Sequence, residues 1–395
     1  MKKFRMGLFG KIVVAILVGV AFGFLFGHIG GTGDVLVRIL KTFNVFFAQI
    51  LKFIVPLLIL GLVAPAISDM GAGAGKMLVF VMVVSYCSTV LAGFFGYFCA
   101  WQLLPHYVAK GLIASSGNGK AFLPFVDLKI PPICDVLTAL ALAFLLGIGI
   151  IFTGSRALKR GVDDFGAIIK LAITKVVIPG LPVYIMTMIC EMTASGRFSA
   201  CAGTMFKVIG TGWALTICFL FVIYTIAGLI ARRNPVKSLW NMVNAYFTGL
   251  SIASSSAVIP VTLECCRKNG VTDGVRNFVV PLCANVHMPG SAIKLMTSFV
   301  AISIIYGQPF DFSLVVNFIC MLAIAAVAAP GVMGGVLMAS MGFLESILSF
   351  TPEQTALMMT FYLSLDGYGP ATNVTSDGAI AMLADRFFAR REVDA

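Results

Sequence analysis

Polar side chains set inside apolar sequence mark where this chain can do chemistry. The run Cys-Ala-Asn-Val-His-Met-Pro-Gly-Ser-Ala-Ile-Lys occupies residues 283–294. Its His287, Ser291 and Lys294 are spaced by four and three, which places them on one face of a helix. Pro289 and Gly290 loosen that helix and free backbone carbonyls. Freed carbonyls suit a sodium ion or the donors of a substrate. A second run, residues 364–379, carries Asp366, Asn373 and Asp377 at spacings of seven and four, again one face. A third crowds Ser251, Ser254, Ser255 and Ser256 into a hydrophobic stretch that resumes at Val258-Ile259-Pro260. The chemistry of such groups is binding of a cation and a small polar molecule. The bland alternative is that Asp366 and Asp377 sit at an interface or pair with Lys294, whose long stem can snorkel.

The elements that hold these groups are membrane helices. The chain has 395 residues, of which 59% are hydrophobic and 11% charged. Its mean hydropathy is +1.00. Soluble domains carry about 25% charge, and their helices keep a polar face. A spanning helix needs roughly 20 apolar residues, and runs of that length recur. They are too long and continuous for the strands of a membrane barrel. Ionisable residues at membrane depth cost several kcal/mol, so Asp366, Asp377 and Lys294 are functional candidates by default. Ten cysteines lie mostly in apolar segments without a Cys-x-x-Cys pair, and three histidines leave little for a zinc site. No enzyme cofactor is expected.

Spans are predicted at about 11–31, 42–68, 77–104, 132–154, 164–193 and 208–231, with an external loop over 105–128. The N-terminal run opens this series and reads as a retained first helix. The formal net charge is +11, and the basic clusters sit at span ends. Lys2, Lys3 and Arg5 precede the first span; Arg156, Lys159 and Arg160 follow the fourth; Arg232, Arg233 and Lys237 follow the sixth; Arg386, Arg390 and Arg391 lie near the C-terminus. With both termini inside, all four clusters fall on the cytoplasmic side, as the positive-inside rule asks. Basic residues thus have a topological explanation, and no nucleic-acid partner is expected.

Beyond residue 237 the apolar segments are broken. One break surrounds Ser254–Ser256, the other Ala329-Pro330-Gly331 with Gly334 and Gly335 behind it. Irregular backbone at membrane depth persists only where protein or a water-filled cavity satisfies it. Two interrupted segments in corresponding positions point to a transporter's binding site.

These residues resemble the dicarboxylate/amino acid:cation symporter family, the glutamate-transporter homologues. Ser254-Ser255-Ser256 with Pro260-Val261-Thr262 is similar to its first re-entrant hairpin. Asn373-Val374-Thr375-Ser376-Asp377 is similar to its last helix, and Lys52 with Pro56 to an early helix. The resemblance implies an all-α polytopic membrane protein with eight transmembrane helices and two re-entrant helical hairpins, an inverted-repeat, elevator-type transporter in a homotrimer. It implies a single membrane unit over 1–395, with scaffold helices mainly in 11–68 and 132–231. The helix at 77–104 would join a transport core at 238–385, whose hairpins span about 238–265 and 313–348. The location implied is a bacterial-type inner membrane, both termini cytoplasmic.

By the same resemblance Ser255, flanked by Ser254 and Ser256, would hold the substrate α-carboxylate, Asp366 its amino group, and Asn373 its main-chain groups. Ser291, Gly369 and Pro370 would line the site. Ala329 and Pro330 would lie at the tip of the second hairpin, the extracellular gate. Asp377 and Asn373 would hold a sodium ion, with Cys283 and His287 in the cation region. This sequence also departs from the pattern. The family's Asn-Met-Asp-Gly-Thr is here His287-Met288-Pro289-Gly290-Ser291. A carboxylate is lost to Pro289 and an amide to His287; the third-helix partner falls at Val84 beside Ser85. Arginines that neutralise acidic substrates are replaced by Ala253 and Gly369.

The expectation is therefore symport of an amino acid, neutral favoured, or of a dicarboxylate. The coupling ion is sodium, a proton through His287, or both, histidine being titratable near physiological pH. Lys294 is a candidate substitute for a bound cation, or a positive charge for an acidic substrate. An uncoupled channel or exchanger on the same scaffold is the alternative. An intramembrane enzyme using Ser255, His287 and Asp366 is more distant, because nothing places the three in contact.

Overall fold

The computed structural model describes residues 8–69, 76–111, 122–126, 129–134, 136–196, 198–329, 334–363 and 367–389. Among them every regular element is helical. Asp366 and Pro330, both singled out by the sequence, lie outside the described residues, as does half of the loop expected over 105–128.

The N-terminal half begins with α1 (Leu8–His28), α2 (Gly31–Asp69) and α3 (Lys76–Leu103). It continues with α4 (Val136–Thr153), α5 (Arg156–Ala172), α6 (Ile178–Ala194) and α7 (Phe198–Ala231). Three spans differ from expectation, α7 first, which begins ten residues before the expected 208. α2 starts eleven residues before the apolar run at 42, with Asp34 in its first turn, where a carboxylate complements the helix dipole. The span expected over 164–193 is divided: α5 is amphipathic and charged, a π-turn covers Ile173–Val177, and Pro179 restarts the chain as α6. Gly154, at a left-handed φ of 61°, turns α4 into α5, a conformation a side chain would disfavour.

The C-terminal half comprises α8 (Pro235–Asn241), α9 (Val243–Ile252), α10 (Ser255–Lys268), α11 (Asp273–Val286) and α12 (Pro289–Tyr306). It ends with α13 (Phe312–Ala328), α14 (Gly335–Ser346), α15 (Pro352–Leu363) and α16 (Tyr368–Phe388). Both interruptions read from the sequence are helix–break–helix units. The first breaks at Ala253–Ser254 between α9 and α10, the second between α13 and α14, and in each the two arms pack side by side.

Packing separates two groups. α1, α2, α4, α5 and α6 pack on one another, while α3 and α8–α16 form the second group. α7 packs chiefly on α16 and α12 and only marginally on α6. The second group is centred on α12, buried along its whole first seventeen residues. α3 can lie close to it because Gly96 meets the Ile293 backbone; small residues let membrane helices approach. Outward faces stay apolar: Phe152, Phe206, Phe221, Leu229 and Trp240 are exposed. Hydrocarbon is the matching solvent for such a face. Among the described residues three stretches, Lys76–His106, Gly203–Ala231 and Asp273–Tyr306, are long and apolar enough to cross a membrane.

Candidate functional site

The break between α11 and α12 is written in Pro289. A residue before proline is steered out of the α region, so α11 stops at Val286. His287 and Met288 run non-helically, and Pro289 occupies the first turn of α12, where its missing N–H costs nothing. The expected single face of His287, Ser291 and Lys294 is therefore not formed. Ser291 and Lys294 share α12, and His287 sits across the break with its own partners. The period-four reading assumed a continuous helix, which the proline forbids.

His287 is fully buried. Its Nδ1–H donates to Asp377 Oδ1 at 2.9 Å, and its Nε2 meets Ser88 Oγ at 2.9 Å. A serine hydroxyl rotates to donate to a neutral ring or to accept from a charged one, so the trio accommodates a proton added to the ring. Asp377 is also fully buried, and its Oδ2 has no hydrogen-bond partner among the described residues. A carboxylate oxygen left so, away from water, is an acceptor in want of a proton or a cation. Cys283 Sγ lies 3.7 Å from Ser85 Oγ on the same wall.

Asn373 sits one helical turn before Asp377 and faces the start of α12. Its Oδ1 accepts from the N–H groups of Gly290 at 2.8 Å and Ser291 at 3.3 Å. Its Nδ2 donates to Ser291 Oγ and Met288 Sδ, each at 3.1 Å. Those two N–H groups are among the four that every helix start leaves without an internal partner. A side chain of α16 thus caps α12, and the break is held open by one amide. The contact is close: a Cβ on Gly290 would lie 2.5 Å from both Gly369 O and Thr372 Cβ. Gly290→Ala is expected to destabilise the protein by about 1–3 kcal/mol, the usual cost of overpacking. Thermal unfolding in detergent would read it as a lowered midpoint.

The hairpin tip lies against the same region. Gly367 abuts the Leu250 carbonyl at the end of α9, and Gly249 faces Ala371. Ser254 is the residue before α10 and Ser255 begins it, half-buried and buried respectively. Ser256 turns outward and donates to Asn285 Oδ1 at 3.3 Å. Ala253 adopts a left-handed conformation with φ of 54°, a strain of about 1–3 kcal/mol of the kind found at functional turns. Pro370 and Gly369 lie in the first turn of α16, both buried. Ala329 ends α13 in extended backbone and is buried.

Sequence reasoning missed Ser88 and Thr89. Ser88 holds the His287 ring and Thr89 Oγ1 accepts from Met288 N–H at 3.4 Å. The signal was present: Ser85, Ser88, Thr89, Ala92, Gly93 and Gly96 form a stripe of small residues along α3.

A model of the sodium:dicarboxylate symporter family matches residues 8–387. The serine/threonine transporter SstT of Streptococcus suis (strain 05ZYH33) is 27% identical over 353 residues, covering 85% of this chain and 93% of the relative. The neutral amino acid transporter B(0) of Rattus norvegicus is 28% identical over 193 residues, covering 47% of this chain and 35% of the relative. The chain thus spans about a third of the rat relative and nearly all of the streptococcal one. Because that family model matches almost its whole length, the chain belongs to the sodium:dicarboxylate symporter family, whose members are transporters and not enzymes.

Proposed function

We propose that this protein is a secondary symporter that couples uptake of a small amino acid or a dicarboxylate to a sodium gradient, a proton gradient, or both. The observation that carries the reading is the buried Asp377 carboxylate at the α11–α12 break, with Oδ2 open and Oδ1 held by His287. A cation or proton taken up there changes the charge next to Asn373 and the hairpin tip. Binding of the two solutes then becomes thermodynamically linked. Positions 253 and 369 favour a neutral amino acid, and Lys294 favours an acid.

The movement proposed is an elevator. α1, α2, α4, α5 and α6 form the scaffold; α3 and α8–α16 form the moving core, with α9–α10 and α13–α14 as re-entrant hairpins. α7 belongs to the core, in place of the scaffold role its sequence position suggested, because it packs on α16 and α12. Lys41 of α2 bridges Glu191 of α6 at 2.9 Å and Glu353 of α15 at 3.5 Å; the second of these pairs must break when the core slides. A homotrimer in a bacterial-type inner membrane, with both termini cytoplasmic, completes the proposal.

Uptake into proteoliposomes, with sodium and proton gradients imposed separately, tests it. Accumulation under either gradient supports symport; none, with exchange or leak intact, supports an uncoupled channel or exchanger. That second reading is favoured by one observation: both ring nitrogens of His287 already have partners where a sodium ligand was expected. The proton route has its own test. His287→Asn is expected to abolish accumulation driven by a proton gradient alone. Proton-driven accumulation at the wild-type level would remove His287 from the coupling.

A further inference from the structure

α7 and the α8–α9 arm are clasped at two levels. At the turn between them Gly228 abuts Pro235, where an added Cβ would lie 2.7 Å from Pro235 Cγ. Farther along, Trp213 Nε1 donates to the Tyr246 hydroxyl at 2.7 Å. Between the clasps the walls part around a cleft of about 330 Å³. Leu220 and Phe221 line it from α7, Leu239 and Val243 from the arm, and Thr375 from α16. Its rim opens on the outward face, where Phe221, Val236, Trp240 and Phe247 are exposed.

An apolar cavity of this kind stays dry, and left empty it forfeits the dispersion contacts of its walls. At about 30 Å³ for a water-sized group, it takes roughly ten methylene groups, a stretch of one acyl chain. The end at the α7–α8 turn is basic. Arg232 and Lys237 are exposed there, and Lys237 follows Val236 of the cleft wall. Arg233 of the same turn is engaged with Asn269 O, Gly270 O and Asp385. Residues 192–263, which contain the whole of α7, α8 and α9, include no Asp or Glu. The next acid along the chain, Glu264, pairs with Arg267 at 2.7 Å. An apolar slot with a basic mouth and no acid in its walls complements an amphiphile whose head is negative.

We propose that this cleft binds one anionic phospholipid, with an acyl chain between α7 and the α8–α9 arm and the phosphate against Arg232 and Lys237. The cleft fixes the chain and the basic pair selects the headgroup. The site is separate from the groups described above: Thr375, two residues from both Asn373 and Asp377, lies on the other side of α16 from them. The inference therefore stands or falls independently of symport.

The test uses the protein's own fluorescence. Of its three tryptophans, Trp213 and Trp240 border the cleft, so Trp101→Phe leaves two reporters of it. This form is reconstituted in phosphatidylcholine vesicles with increasing amounts of brominated-chain phosphatidylglycerol or brominated-chain phosphatidylcholine, whose bromines quench nearby tryptophan. Phosphatidylglycerol is expected to be favoured by about twenty-five-fold at low salt, since each basic residue near the surface contributes about fivefold. Arg232→Gln and Lys237→Gln should each remove about fivefold of that preference. Val243→Phe, which fills the cleft, should weaken quenching by phosphatidylglycerol at least about fivefold with both basic residues in place. Equal quenching by the two lipids, or a preference untouched by the paired glutamine substitutions, overturns the proposal. Undiminished quenching in Val243→Phe overturns it too, because the lipid would then lie on the surface and not in the cleft. Should Trp101→Phe fold poorly, native mass spectrometry of wild type released from phosphatidylglycerol vesicles decides. One more phosphatidylglycerol retained than by Arg232→Gln/Lys237→Gln supports the site, and equal retention sinks it.

Discussion

Asp377→Asn is expected to abolish gradient-driven accumulation while leaving the protein folded. The two halves of that outcome have separate causes. An asparagine in the same place keeps an oxygen within reach of His287 Nδ1–H, whose bond to Asp377 Oδ1 is 2.9 Å long. Its volume is unchanged, so the fully buried position keeps its packing. What disappears is the negative charge, and with it the open Oδ2 that has no partner among the described residues. A neutral amide holds a sodium ion more weakly than a carboxylate does, and it takes up no proton from the imidazole. Substrate affinity measured with saturating cation should then fall by roughly 5- to 150-fold, the common size of a coupling between two sites. Affinity without cation should change little. The measurement is substrate affinity of both forms with and without the cation, beside uptake in proteoliposomes. Cation-dependent accumulation by Asp377→Asn at the wild-type level would remove Asp377 from the coupling site. If His287 and Asp377 act as one unit, adding His287→Asn to Asp377→Asn should cost little more than Asp377→Asn alone.

How much of this could be read from the chain depends on the range of the interaction involved. Pro289 and the Ser254–Ser256 run act through the local backbone, so the breaks they cause were legible. Asn373 and Asp377, spaced by four in a helix, were legible as a pair for the same reason. Which partner each takes was not. Asn373 caps a helix that starts 84 residues earlier in the chain, at Pro289, and no local pattern encodes that pairing. Ser88 was hidden because a serine in an apolar helix reads as packing until the opposing residue, 199 positions away, is known. His287 was misplaced because helical spacing was extended across the proline that breaks it. Lys294 was visible as an anomaly, but its tyrosine neighbours come from two further helices. The length of α2 escaped because a hydropathy run finds apolar surface, whereas the backbone hydrogen bonds continue into polar sequence.

Asn373→Ala is expected to lower the stability of the protein without any ligand present. This separates two roles that the sequence had merged. As a substrate or cation ligand, Asn373 would matter only when those solutes are bound. As the cap of α12, it matters always. Truncation removes the acceptor from the N–H groups of Gly290 and Ser291 and the donor from Ser291 Oγ. All three lie in a buried cluster, and each buried polar group left unsatisfied costs about 1–3 kcal/mol. Even allowing for partial relaxation, a loss of about 2–4 kcal/mol follows, enough to lower the unfolding midpoint by several degrees. Asn373→Asp makes the complementary test. It keeps an acceptor for the two N–H groups but discards the donor, and it sets a second carboxyl four residues before Asp377 on the same helical face, where like charges repel. The aspartate variant should therefore gain stability as pH falls and its carboxyl is protonated, whereas the alanine variant should show no added pH dependence. Were ligand-free Asn373→Ala to melt within a degree of wild type, the capping role would be lost. Asn373 would then stand as a binding residue alone, and the open break between α11 and α12 would have to be held by Pro289 and the packing of Gly290 on α16.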